Sequence, residues 1–136
     1  MVPLQWGPTY ELGIPLLDAQ HRHLISLVNE AMAAVGRREE RILEAILDQL
    51  MEYAKYHFAA EEERMAAASF PERESHMQEH EAFQERVTDL YSRFLEGDPD
   101  VAVEMTAFLR AWLVAHIQGS DRKYIPYLLR LEESRG

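Results

Sequence analysis

The sequence predicts an all-α protein, an up-down-up-down antiparallel four-helix bundle with an extended N-terminal arm and a short C-terminal helix. Three observations carry this. Apolar residues recur every three or four positions through four long segments, the period of a buried helix face. Short breaks marked by glycine and proline separate the segments, and short turns between long helices make neighbours antiparallel. Five of the six histidines fall on the apolar stripes, close to the same end of the bundle.

The elements follow in order. Residues 1–17 contain Pro3, Pro8, Pro15 and two glycines and read as an arm, with Trp6, Tyr10 and Ile14 available to pack on the body. The first helix is expected from Asp18, as its N-cap, to Gly36, with Leu17, His21, Leu24, Val28, Met32 and Val35 on its stripe. The second runs from about Glu39 to Ala67, with Ile42, Ile46, Leu50, Tyr53, His57 and Glu61 on one face. Ser69-Phe70-Pro71 breaks the pattern, and proline just inside a helix start is favoured. The third helix therefore begins there, with His76, His80, Phe83, Val87, Leu90 and Phe94 on its stripe. Gly97-Asp98-Pro99 ends it and opens the fourth, which carries Val101, Met105, Phe108, Trp112 and His116. Pro126 points to a separate short helix from Tyr124 to Leu131.

Composition narrows the function classes. A chain of 136 residues is one domain by length. It has no cysteine, which excludes disulfides, zinc–thiolate sites and iron–sulfur clusters. A net charge of −10 disfavours nucleic acid and anionic membranes. No apolar run reaches the roughly 20 residues of a membrane helix. The opening residues lack the basic-then-apolar pattern of a secretory signal, so a cytoplasmic protein is expected.

The polar residues on the stripes carry the functional reading. His21 lies near the start of the first helix, and His57 and Glu61 near the end of the second. His76 and His80 lie near the start of the third, and His116 and Asp121 near the end of the fourth. In an up-down bundle these four ends coincide, so topology gathers all seven groups into one layer. Buried imidazoles and carboxylates are costly unless something pairs them. His57/Glu61 and His76/His80 are i, i+4 pairs, which stand above one another on a helix. His116 and Asp121, five apart, diverge by about 140° on an ideal α-helix. They converge only if the helix widens, and Gly119 between them could permit a π-bulge.

Five imidazoles and two carboxylates are too many for one transition metal and suit two metals bridged by both carboxylates. Such ligands suit iron, zinc, copper or nickel and do not choose among them. A 3:2 division of the histidines, with two carboxylate bridges and one hydroxide, fills six positions on one metal and five on the other. One open position in an apolar pocket suits reversible binding of a small molecule better than hydrolysis.

At this point the chain resembles the hemerythrin family, more closely its single-domain bacterial members. The resemblance rests on Asp18-Ala19-Gln20-His21, His57-Phe58-Ala59-Ala60-Glu61-Glu62, His76-x-x-x-His80, and His116-Ile117-Gln118-Gly119-Ser120-Asp121 followed by Tyr124. It covers nearly the whole chain: an arm over 1–17, a bundle over 18–120 and a C-terminal segment over 121–136. It implies a non-haem diiron cofactor, two iron ions (Fe2+/Fe3+) bridged by two carboxylates and an oxo or hydroxo group, that binds dioxygen reversibly for transport, storage or delivery. By the same resemblance His76, His80 and His116 serve the saturated iron, His21 and His57 the iron with the open position, and Glu61 and Asp121 bridge them. The family's apolar dioxygen pocket corresponds to Leu24, Phe58, Trp112, Leu113 and Ile117. The partners implied are dioxygen and an oxygen-consuming enzyme, and the protein is expected to be a monomer that is not an enzyme.

Other readings remain beside this one. Carboxylate-rich diiron oxidases use Glu-x-x-His pairs and about four carboxylates, and this chain has no Glu-x-x-His and two carboxylates in the cluster. Sensing of oxygen, iron or redox state through a separate partner, and scavenging of peroxide or nitric oxide, would use the same site. Off the stripe, His23 reads as a surface residue and Glu62 and Glu63 as a solvated charged face. Tyr124 reads as buried and hydrogen-bonded, with no chemistry implied.

Overall fold

The computed structural model describes residues 2–135; Met1 and Gly136 lie outside the described residues. Helices α1 (Pro15–Gly36), α2 (Glu40–Ala67), α3 (Arg73–Leu95) and α4 (Val101–Ala115) form the bundle. A six-residue π-helical segment, His116–Asp121, follows α4 without a break and leads directly into α5, Arg122–Arg135. No strand occurs among the described residues. α1 packs on α2 and α4, and α3 packs on the same two, which closes a ring of four helices. Among the described residues, no helix is long and apolar enough to cross a membrane.

All three turns between bundle helices close in the same way. Arg38, Ser69 and Gly97 take positive φ, at 56°, 54° and 88°. The amide after each reaches back to a carbonyl five residues earlier: Glu39 to Ala34, Phe70 to Met65 and Asp98 to Arg93, at 3.0–3.1 Å. This is the Schellman closure, which satisfies carbonyls that the helix end leaves open. Only one of the three left-handed positions is glycine, so composition alone signals one turn of the three.

Several boundaries and faces differ from the sequence expectations. α1 begins at Pro15, where a fixed φ and a missing N–H suit the first turn, and not at Asp18. Asp18 is instead inside that turn, and its carboxylate accepts the N–H groups of Leu12 and Gly13 at 2.9 and 3.1 Å. It holds the arm where an N-cap would have held the helix. α3 begins at Arg73, two residues after Pro71. The C-terminal helix is longer than Tyr124–Leu131 and is not separate, since Pro126 sits inside α5 just past the π segment. On α2 the buried stripe runs through Leu43, Leu47, Leu50 and Ala54, and Ile42 is 52 % exposed. On α4 it centres on Leu109 and Leu113, leaving Phe108 and Trp112 half-buried.

The arm is a packed element. Leu4, Tyr10, Leu12 and Ile14 are buried. The Asn29 side chain donates to the Leu4 carbonyl and accepts the Leu4 N–H, both at 2.8 Å. Arg122 donates to the Thr9 carbonyl, and the Arg22 guanidinium lies 4.9 Å from the centre of the Trp6 ring.

Two apolar clusters bracket the polar residues. The larger fills the body of the bundle with residues such as Leu27, Leu47, Leu90, Met105 and Leu109. The smaller closes one end with Ile14, Leu17, Met65, Phe70, Tyr124 and Leu128. His21 is one turn beyond Leu17, Glu61 one turn before Met65, and Asp121 three residues before Tyr124. The histidine layer is thus sealed from water on both sides, and burial of each surrounding leucine contributes about 1.5–3 kcal/mol to holding that seal.

Candidate metal centre

All seven sequence-predicted ligand residues are brought together, each 4 % exposed or less. On α2, one helical turn separates His57 from Glu61, and His57 Nε2 lies 2.5 Å from Glu61 Oε1. On α3, the His76 and His80 rings sit 4.7 Å apart, centre to centre. The π segment does what the spacing of His116 and Asp121 required. With hydrogen bonding from i to i+5, residues five apart share a face, and His116 Nε2 lies 2.9 Å from Asp121 Oδ1. Gly119 is in this segment but not at a positive φ, and a Cβ there would meet nothing within 4 Å. The widening therefore does not depend on the freedom peculiar to glycine.

The two carboxylates face in two directions each. Glu61 points Oε1 at His57 and Oε2 at His76, the latter at 3.4 Å. Asp121 points Oδ2 at His21, 3.1 Å away, and Oδ1 at His76 and His116, 3.0 and 2.9 Å away. His80 Nε2 lies 3.2 Å from His116 Nε2. The donor atoms fall into two groups, each within 4.8 Å: Glu61 with His76, His80 and His116, and Glu61 with His21, His57 and Asp121.

This donor set fits a pair of metal ions. Both oxygens of Glu61, both oxygens of Asp121, both nitrogens of His21 and Nε2 of His76 are buried without a well-formed hydrogen bond. Buried acceptors without donors are costly, and two buried anions require compensating positive charge. The electrostatics show that demand. Burial and Asp121 push Glu61 up, but the facing imidazoles of His57 and His76 hold it down at about 2. Burial opposes ionisation of Asp121 too, yet His116, His21 and His76 hold it well below the usual carboxylate range. His76 and His116 lose basicity to burial, but His76 is lifted to about 9 by Asp121 and Glu61, and His116 to about 10 by Asp121, then Glu79 and Glu61. Burial leaves His80 neutral, pulled down to about 3. Without metal the carboxylates thus take protons on the histidines as partners; metal cations would replace those protons.

Residues around the layer hold the rings. Phe58 stacks on His80 (3.9 Å, 9°) and Trp112 on His116 (4.2 Å, 15°). Both aromatics also line an apolar gap of about 10 Å³ with Leu24, Leu109 and Leu113. That is room of the order of one water molecule. Four of the five expected pocket residues line this gap; Ile117 is buried in the π segment and is not part of its lining. Tyr124 is buried beside His76, ring centres 5.5 Å apart. Burial and then the charges of Glu61 and Asp121 push its phenol far above the usual range, so it stays a neutral O–H.

Three residues at the site were not anticipated. Gln20 Oε1 accepts from His57 Nδ1 at 2.6 Å; its one sequence signal is a polar side chain beside His21 on a buried face. Glu79 Oε2 lies 3.2 Å from His116 Nδ1, and no periodicity marks it. Glu62, expected on a solvated face, has Oε2 3.5 Å from His80 Nδ1 and is 23 % exposed. His23 behaves as expected, exposed and packed edgewise on Tyr53.

With this geometry in view, residues 12–128 match the family model for the hemerythrin HHE cation binding domain. The chain belongs to the hemerythrin family. It is 34 % identical to a bacteriohemerythrin of Stenotrophomonas maltophilia over 124 residues, 91 % of this chain and 80 % of that one. It is also 34 % identical to a bacteriohemerythrin of Methylococcus capsulatus over 131 residues, 94 % and 98 % of the two chains. A crystal structure of wild-type hemerythrin superposes with a TM-score of 0.86 at 27 % identity, covering 93 % of this chain and 98 % of the other. The buried His/Glu/Asp cluster is thus a metal site of a hemerythrin fold.

Proposed function

We propose that the chain, acting as one hemerythrin domain, holds two iron ions bridged by Glu61, Asp121 and an oxo or hydroxo group, and uses them to bind dioxygen reversibly. One observation carries the reading. Each buried carboxylate directs one oxygen to the His21/His57 side and the other to the His76/His80/His116 side. His76, His80 and His116 hold one ion and His21 and His57 the other, so the second keeps a free position. When bound, a ferrous pair supplies the two electrons that reversible dioxygen binding draws on. Around it, Leu24, Phe58, Trp112 and Leu113 keep water from the site, with Ile117 packing behind them.

The setting is carriage, storage or delivery and not turnover. Two carboxylates in the cluster, against about four in diiron oxidases, support that choice. A cytoplasmic monomer handing dioxygen to an oxygen-consuming enzyme is the context that this reading implies.

The test is a visible spectrum of iron-loaded, reduced protein without air, with air, and after oxygen is removed. A band that appears with dioxygen and disappears on its removal is the expected result. Irreversible bleaching, or no colour in protein shown to contain two irons, overturns the reading.

A further inference from the structure

The outer nitrogens of the ligand histidines meet unequal partners. His116 Nδ1 faces the Glu79 carboxylate at 3.2 Å, and His80 Nδ1 faces that of Glu62 at 3.5 Å. The first is within hydrogen-bond reach; His80 Nδ1, like His21 Nδ1, makes no hydrogen bond, so Glu62 acts on it through charge alone. On the other side, His57 Nδ1 donates to the neutral amide of Gln20 at 2.6 Å, and His21 Nδ1 has no hydrogen-bond partner. Among the described residues, two carboxylates therefore stand behind one group of ligands and none behind the other. Gln20 is 2 % exposed and its Nε2 is unpaired, so a neutral group is maintained there at a cost.

A carboxylate on the outer N–H of an imidazole raises the basicity of the nitrogen that faces a metal, and an amide oxygen does so less. We propose that these outer partners make the two metal positions unequal: Glu79 and Glu62 strengthen the position of His76, His80 and His116, which fills first, while Gln20 keeps the position of His21 and His57 weaker. The inference rests on the two-metal reading above and adds an order of loading and the residues that set it. An extra histidine alone would also favour the first position. The charge of the partners is separable from that, because Gln20, Glu62 and Glu79 would not themselves be ligands. Glu79 also faces Ser120, which shares the π segment with His116.

The experiment is an anaerobic titration of the metal-stripped full chain with cobalt(II), followed by calorimetry, visible absorption and paramagnetically shifted histidine ring protons. The wild-type chain is expected to take two equivalents in separate steps, the first shifting three histidines (His76, His80 and His116). Glu79→Gln is expected to weaken the first step by about 10- to 100-fold and to leave the second near its wild-type value. Gln20→Glu is expected to tighten the second step and narrow the separation. Glu62→Gln carries the sign of Glu79→Gln with a smaller effect and replaces it if that variant does not fold, as judged by circular dichroism. Fewer than two equivalents bound by the wild-type chain would overturn the two-metal reading. Two equivalents, with Glu79→Gln weakening both steps alike or Gln20→Glu failing to tighten the second, would overturn the inference and leave that reading standing.

Discussion

α3 and the α4–π junction each deliver two groups to the same layer, by different means. His76 and His80 are four apart on an ordinary α-helix, and their alignment costs the backbone nothing. His116 and Asp121 are five apart, and the backbone must widen to a π turn to align them. The i, i+4 pair contributes two imidazoles to one side of the layer. The i, i+5 pair contributes one imidazole and the carboxylate that reaches both sides. The irregular backbone is thus found at the carboxylate whose two oxygens face both groups of histidines.

That difference sets the largest expected effect. On the two-metal function proposed above, Asp121→Ala removes a group shared by both positions and is expected to take metal content from two ions per chain toward none. His76→Ala removes a ligand of one position and is expected to leave one ion while abolishing the dioxygen-dependent colour. His23→Ala is expected to keep both ions and the colour. Metal analysis of the purified variants checks all three, and equal losses in Asp121→Ala and His76→Ala would erase the contrast.

Leu113, one turn before the π segment, is 6 % exposed and lines the gap beside Phe58 and Trp112. Leu113→Ala is expected to cost about 2–5 kcal/mol, read from denaturant unfolding. It is also expected to bind dioxygen but oxidise faster, because water enters. Unchanged oxidation would remove Leu113 from the water barrier.

A smaller effect tests both arms of the comparison through their histidines. In metal-stripped protein His76 and His116 are raised from 6.5 to about 9 and about 10. A raised folded-state value contributes stability that is complete below the unfolded value and is lost as pH rises through the folded one. The thermal midpoint of the stripped protein should therefore fall as pH rises from 6.5 toward 10. Metal-loaded protein, whose histidines have given up those protons, should show a flatter profile. A flat profile in the stripped protein would contradict the pairing described here.

The smallest effect concerns Gly119. Its backbone needs no positive φ and its surroundings are open. Gly119→Ala is therefore expected to change stability by no more than about 1 kcal/mol and to leave metal content at two. A lost ion would show that the π turn depends on glycine after all.

Much of the site was legible because ligand chemistry and helical period are both local. His21, His57, Glu61, His76 and His80 interrupt apolar stripes, and an interrupted stripe is visible in the residue order. Asp121 was legible only conditionally, since its place depended on a helix geometry that spacing could require but not prove. Gln20, Glu79 and Glu62 were missed because they act across helices. Gln20 is 37 positions from His57 and Glu79 is 37 from His116, and no periodicity links residues on different helices. The stripe centres at Leu43 and Leu109 were displaced because several apolar residues compete on each helix, and packing against neighbours chooses among them.

By itself, then, the order of residues determined four amphipathic helices, their antiparallel succession and the convergence of seven ligand-type side chains at one end, because period, turn and ligand chemistry are written within a few residues of one another. Tertiary structure alone decided the π turn at His116–Asp121, the left-handed turns at Arg38 and Ser69, the docking of the arm through Asn29 and Asp18, and the unequal partners behind the histidines. The Asn29 contact and the Gln20 and Glu79 partners behind the histidines join groups 25 to 37 positions apart, distances that exist only once the helices have packed. The π turn, the left-handed turns and the Asp18 contact are local, but no glycine requirement or cap pattern in the residue order marks the state that packing selects.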